Sequence, residues 1–442
     1  MVLEIRLGNF FSIKDEVLLD FRAAKTNSDG AKALSANVID YKGEKILKSI
    51  GLFGANASGK SNILKAIYFC LHLIMDSDQY NEGKVFDFVP FKFNGYENKP
   101  STFSIDFIHD DIYYEYSFTL VKSAILKESL YHYPNGRRAK VYTRDETKGP
   151  AKQSIYSFAD GLIPRPLDVA INTSRKTLYL SRASQMDREI CRKIYRFFML
   201  RFWLEFAPLD FSDFEFDIEK EFSRNKDFFL HALSICDSDI SEIKLITERL
   251  KHNGTVKANS TAKFNGTVQT FKTFHKADPS IPFDLPGEES AGTIQLFSML
   301  FFLLDVVKNG KTFMLDEFDL SLHTKLANFV IDLFHAGSSA QFLFTSHNTS
   351  LIDIKRFRKD QILFANKRED GSTELYSLYD YKDFRENMDA EKGYLQGRFD
   401  AIPIIDTSPA ALKKLTGSKE LNEKISKNPL SIENGQQIRE TN

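Results

Sequence analysis

The chain has 442 residues, with 59 Lys plus Arg against 60 Asp plus Glu and 42% apolar residues, an ordinary folded composition for one large domain or two to three smaller ones. A net charge of −1 excludes a polybasic protein that holds nucleic acid through overall charge, although a local basic face stays open. Cys70, Cys191 and Cys236 stand far apart with no CxxC or Cys/His pattern, which excludes a disulfide framework or a structural zinc site and points to a reducing compartment. The N-terminus MVLEIRLGNFFSIKDE lacks the organisation of a signal peptide. The longest apolar run, Leu296 to Val307, contains Asp305 and is too short to span a bilayer. A cytoplasmic protein without a membrane partner is expected.

Along the chain, Leu3, Ile5 and Leu7 and then Val17, Leu19 and Phe21 alternate as two strands joined around Asn9 to Glu16. Ile46 to Phe53 gives a short apolar strand, followed at once by GANASGKSN and then by Ile63, Leu64, Ile67, Cys70, Leu71 and Ile74 at helical spacing. From Met75 the texture changes. Phe103 to Phe107 and Ile112 to Leu120 read as a hairpin turning at His109-Asp110-Asp111, and Pro134-Asn135-Gly136 marks a second turn before Ala139 to Thr143. Gln185 to Leu250 reads as mainly helical, with no sustained heptads. After Pro286 the apolar helix Leu296–Val307 leads into the strand TFMLDE, and Gln341 to Thr345 forms another short strand, both suited to a buried sheet. The polar residues beyond Ile405 are expected to be a flexible or partner-ordered tail.

Gly54-Ala55-Asn56-Ala57-Ser58-Gly59-Lys60-Ser61 matches the phosphate-binding GxxxxGK[ST] loop in its required strand–loop–helix setting. Its glycines let backbone N–H groups converge on phosphate oxygens at a helix N-terminus. Lys60 would reach the β- and γ-phosphates, and Ser61 would ligate Mg²⁺. Phe313-Met314-Leu315-Asp316-Glu317 ends an apolar strand in two carboxylates that alternation points differently, suiting Asp316 to Mg²⁺ and Glu317 to activating water. Ser290, Gly292 and Thr293 precede the apolar helix, where a plain N-cap would explain them equally well. Ser346-His347-Asn348 ends a strand and could be an ordinary turn, although ligands bind at such strand ends in α/β sheets.

In order, these motifs resemble an ABC-type ATPase head: the Walker A loop, a Ser290-x-Gly292-Thr293 signature, the Asp316-Glu317 Walker B pair, Ser321-Leu322-His323 at the D-loop position and His347 at the switch position. More narrowly, LGNFFSIKDE, GANASGKSN, ESAGT, LDEFDLSLH, TSHN and YLQGRFDAIPII resemble the prokaryotic OLD-like and abortive-infection AAA/ABC ATPases. The resemblance implies an α/β P-loop NTPase with a β-rich lobe and a mainly helical insertion, using ATP and Mg²⁺. Nucleotide contacts would come from Gly54, Asn56, Ser58, Gly59, Lys60, Ser61 and Asn62, the metal would sit on Ser61 and Asp316, and catalysis would rest on Glu317 and His347. Ser290, Gly292 and Thr293 would act on nucleotide held by a second subunit, making a homodimer or larger homo-oligomer part of the mechanism. Gln185 is either a Q-loop residue or a surface glutamine. The expected organisation is head (1–74), β-rich lobe (75–184), mainly helical insertion (185–285), head (286–405) and tail (406–442).

Two functions compete. One is an anti-phage defence ATPase that senses a trigger such as a phage protein and controls a separate nuclease or toxin. The other is a DNA-repair or chromosome-maintenance ATPase of the RecF or SMC type that clamps DNA, to which the basic clusters Arg137-Arg138-Lys140 and Lys355-Arg356-Arg358-Lys359 could contribute.

Overall fold

Two kinds of strand sequence build two large sheets. The computed structural model describes residues 1–149, 151–209, 218–236, 239–249, 262–264, 267–337, 339–402, 408, 411, 412 and 414. It separates into Met1–Ile402 and Pro403–Asn442. Within the second unit the Leu412 N–H donates to the Ser408 carbonyl; the tail expected over 406–442 otherwise lies outside the described residues.

In chain order the strands are β1 (Val2–Gly8), β2 (Val17–Asp20), β3 (Val38–Tyr41), β4 (Glu44–Leu47), β5 (Ser49–Phe53), β6 (Ser101–His109), β7 (Ile112–Val121), β8 (Ala124–Tyr133), β9 (Ala139–Asp145) and β10 (Tyr156–Phe158). They continue with β11 (Phe202–Phe206), β12 (Ile240–Arg249), β13 (Ala262–Phe264), β14 (Thr267–His275), β15 (Asp278–Asp284), β16 (Thr312–Asp316), β17 (Gln341–Thr345), β18 (Ile362–Lys367) and β19 (Thr373–Ser377). The alternating strands form an antiparallel sheet, β10-β9-β8-β7-β6-β1-β2. The second is a mainly parallel sheet, β11-β16-β17-β5-β18-β19, in which the central β16, β17 and β5 are buried along their whole length. Smaller sheets pair β3 with β4 and β12 through β15 with one another.

The first expected head segment and the β-rich lobe therefore share a sheet, because β1 pairs with β6. Gln341 at the start of β17 ties this sheet to the parallel one. Its side-chain oxygen accepts from the Val2 N–H at 2.7 Å, and its amide donates to the Val2 carbonyl at 2.9 Å. Phenylalanine fills the space between layers: Phe342 stacks on Phe313 and Phe334, and Phe313 on Phe302.

The expectation of a mainly helical segment over 185–285 is corrected. Its first part is helical, with Glu189–Arg201 and Lys226–Cys236, but β11 joins the parallel sheet beside β16 and β12–β15 make an antiparallel sheet. A bulge between Ile240 and Glu242 buries Ile240 and Ile243, three apart, so that a strand carries helix-like apolar spacing. The expected apolar helix runs Ala291–Asn309, and it is nearly surrounded by core residues. By length and composition it could cross a bilayer, but 67% of its most apolar window is buried within the fold.

Candidate nucleotide site

β5 runs out at Phe53 into a loop whose backbone demands glycine twice. Gly54 has φ +148° and Gly59 φ +106°; a Cβ would stand 2.3 Å from the Ala365 carbonyl oxygen at the first and 1.9 Å from Thr373 Oγ1 at the second. The helix Lys60–Asp76 starts directly after, so its first N–H groups face the loop. Loop and helix border a cavity of about 680 Å³ with Asn56, Gly59, Lys60, Ser61 and Asn62 on its wall. Glu317 and His347 close one part of it, and Ser12, Ala57, Lys367 and Gly371 contribute the remainder. A second cavity, about 740 Å³, lies between residues 26–34 and 354–386 and contains none of the motif residues.

Lys60 is buried, and its ammonium donates to the carbonyls of Gly54 at 2.8 Å and Ala55 at 3.0 Å. Burial pulls its pKa down to about 8, against the opposing pull of Asp316 and Glu317. A cation held among carboxylates and carbonyls in this way is suited to a polyphosphate anion. Ser58 Oγ is buried without a hydrogen-bond partner among the described residues, a polar atom available inside the loop.

The two carboxylates diverge because the strand ends between them rather than by alternation along it. Asp316, at the buried end of β16, accepts from the Thr345 hydroxyl at 2.5 Å. Glu317 turns into the left-handed region at φ +50°, its N–H donating to the same hydroxyl at 2.8 Å. Its side chain reaches His347, Oε1 to Nε2 3.8 Å, while His347 Nδ1 lies 3.4 Å from Lys60 Nζ. Burial, and then the charge of Lys60, lowers the His347 pKa, favouring a neutral imidazole. Burial likewise raises the pKa of neighbouring Asp319.

Ser290, Gly292 and Thr293 lie elsewhere. Ser290 caps the helix Ala291–Asn309, accepting from the Thr293 N–H at 3.1 Å with its hydroxyl 2.8 Å from that of Thr293. The N-cap reading is thus correct locally, and none of the three lines the cavity of its own chain. Gly292 packs on the D-loop position: a Cβ there would come within 2.9 Å of the Ser321 carbonyl oxygen.

Gln185 is exposed at the end of the helix Tyr179–Gln185 and does not line the cavity, which is the surface-glutamine alternative. Of the seven residues in the basic clusters, three are ion-paired within the chain: Arg138 with Glu115, Arg356 with Asp332 and Arg358 with Asp360. Sequence reasoning missed Ser12, Thr345, Lys367, Gly371 and Thr373. Ser12 accepts from the Asn62 amide at 2.8 Å and bonds Thr373 Oγ1 at 2.7 Å, and Thr373 also donates to the Ser58 carbonyl at 2.9 Å. The segment LGNFFSIKDE flags Ser12 as part of a pattern without assigning it a task.

Residues 49–353 match the family model described as "AAA domain, putative AbiEii toxin, Type IV TA system". The chain belongs to this AAA-domain family. The expected AAA/ABC-type P-loop ATPase fold is therefore the right one, and the family match spans both Walker motifs, the signature and His347. Solved structures similar to this AAA-domain chain include an SMC head bound to the C-terminal winged-helix domain of ScpA, at TM-score 0.39 and 15% identity over 85% of this chain and 97% of that one. Others are the SMC head domain from Thermotoga maritima (TM-score 0.37, 13% identity, 85% and 98% covered) and a Pyrococcus furiosus SMC head with an extended coiled coil bound to the C-terminal domain of ScpA (0.37, 14%, 85% and 96%). No curated protein matches the chain.

The site fits ATP and Mg²⁺ on its own chemistry. It offers a glycine cradle that a Cβ would close, a buried lysine, the Ser61 hydroxyl and a carboxylate pair of which Glu317 lines the cavity and Asp316 is buried. Among the described residues no cluster of three or more His, Cys, Asp or Glu forms a self-sufficient metal cage. Mg²⁺ commonly takes one or two protein ligands together with phosphates and waters.

Proposed function

We propose that this AAA-domain protein binds and hydrolyses ATP, and that its heads engage in pairs so that Ser290, Gly292 and Thr293 of one copy complete the site of another. The observation that carries this reading is one cavity bordered by Gly59-Lys60-Ser61, Glu317 and His347. Backbone N–H groups at the helix start and Lys60 bind and orient the phosphates. Ser61 and Asp316 hold Mg²⁺, which when bound neutralises phosphate charge. Glu317 accepts a proton from the attacking water, and neutral His347 offers its Nε2–H on the side of Glu317.

Ser290 and Ala291 are exposed, leaving the N-terminus of the helix Ala291–Asn309 accessible to the phosphates of a second copy. The wider role is that of an ATPase subunit in a prokaryotic anti-phage defence system, controlling a separate nuclease or toxin. Support comes from the family's toxin–antitoxin description and the OLD-like motif order.

The test is the mass in solution with ATP·Mg²⁺ of the parent, Glu317→Gln, and Glu317→Gln combined with Ser290→Arg. A dimer or larger ring trapped by Glu317→Gln and undone by the added arginine is expected. A mass indifferent to nucleotide and to both changes would refute ATP-gated engagement.

A further inference from the structure

Glu289, immediately before the Ser290 cap, faces away from solvent. Its side chain is 7% exposed, and one oxygen, Oε1, lies 2.8 Å from His275 Nε2 and accepts from the Thr273 hydroxyl. His275 Nδ1 in turn lies 3.1 Å from Asp239 Oδ2. Both ring nitrogens therefore face carboxylates, the arrangement of an imidazolium donating twice. Thr273 and His275 belong to β14, and Asp239 immediately precedes β12.

The signature helix does not need this arrangement to form. Ser290 and Thr293 already cap it, and its apolar length is buried. An acidic residue outside a helix N-terminus gains modestly from the dipole while remaining solvated, whereas burying a carboxylate is costly unless it is paired. Here the carboxylate is withdrawn from water and bound to another sheet. The short helix Leu285–Glu288 between β15 and Glu289 also packs on β14. Among the described residues the charged groups facing the His275 ring are Asp239 and Glu289; neighbouring Lys272 is engaged with Asp284 at 3.2 Å.

We infer that His275 and Thr273 clamp Glu289 so that the β12–β15 sheet sets the position of the Ser290 cap, making Glu289 and His275 positioning residues for head engagement. The inference rests on the trans-signature reading and deepens it. A displacement of this sheet would be felt at the signature through two hydrogen bonds to one carboxylate, without passing through the phosphate loop.

The test uses the full chain in the Glu317→Gln background, with His275→Ala, Glu289→Gln, His275→Lys and, as a control on the same sheet, Lys272→Ala. ATP affinity at protein concentrations too low for assembly reads the phosphate loop; mass against protein concentration with ATP·Mg²⁺ reads engagement. His275→Ala and Glu289→Gln should leave the first unchanged and weaken the second about tenfold, on the scale of one charge-assisted hydrogen bond. His275→Lys, which keeps the cation, should recover engagement, and Lys272→Ala should match the parent. Engagement equal to the parent in His275→Ala and Glu289→Gln, or His275→Lys no better than His275→Ala, would overturn the clamp alone. A parent whose mass ignores ATP would overturn the trans-signature reading, and the clamp with it.

Discussion

Thr345 donates its hydroxyl hydrogen to Oδ1 of Asp316. Because Thr345 Oγ1 in turn accepts from the Glu317 N–H, one side chain orients both carboxylate residues. Thr345→Val keeps the shape and strands a buried carboxylate oxygen and a part-buried N–H, costing about 1–3 kcal/mol. Turnover should fall more than nucleotide affinity, and Thr345→Ser should restore both. Urea midpoints and single-turnover rates check this; a valine variant indistinguishable from the parent would count against it.

Gly59 admits no side chain. With φ +106° and Thr373 Oγ1 at 1.9 Å from a would-be Cβ, Gly59→Ala must displace either the loop or β19. Loss of ATP binding is expected in a protein whose far-ultraviolet dichroism is unchanged. Thr373→Ala should relieve part of the clash in the double variant, measurable as partial recovery of affinity.

His335 supplies a pH dependence away from the site. Burial first, and then the charges of Lys48 and Arg356, lowers its pKa to about 4 from an ordinary 6.5. The neutral ring is held by Ser49 Oγ at 2.8 Å, a hydroxyl that itself accepts from the Gln361 amide at 2.8 Å. Between pH 4 and 6.5 the unfolded chain binds the proton that the folded chain refuses, so stability is full above pH 6.5 and declines as pH falls towards 4, by up to about 3 kcal/mol. Urea midpoints measured across that window should slope less steeply in His335→Gln than in the parent.

The tie between Gln341 and Val2 is open to a direct check. Gln341→Leu leaves the Val2 N–H and carbonyl without their partners in a fully buried place, at a cost of about 1–3 kcal/mol. Amide exchange in β1 should accelerate in that variant more than exchange in β8, which lies three strands away in the same sheet.

How far the sequence was legible depended on whether a residue's task was written locally. β16 and β17 could be read because five consecutive buried residues leave no alternative pattern, and the phosphate loop because its glycines and lysine sit at fixed spacing. β12 was hidden by a bulge that mimics helical spacing, and β11 because its partner β16 lies more than a hundred residues downstream. Ser12 and Thr373 were missed for the same reason: they meet across 361 positions, and neither serine nor threonine advertises a distant partner. Glu289 stands in the ESAGT segment with no task of its own, and only the fold shows its carboxylate meeting β14.

The position of β5 has a consequence for how the protein is made. Both of its neighbours, β17 and β18, come from the last quarter or so of the sequence, so the strand that carries the phosphate loop leaves the ribosome with no partner on either edge. At typical synthesis rates the wait for Gln341 is roughly 15–60 s. Until then an apolar, unpaired strand is exposed to other nascent chains. A ribosome-stalled fragment ending before β17 should accordingly recruit chaperones and expose β5 to protease, and one ending after β19 should do neither.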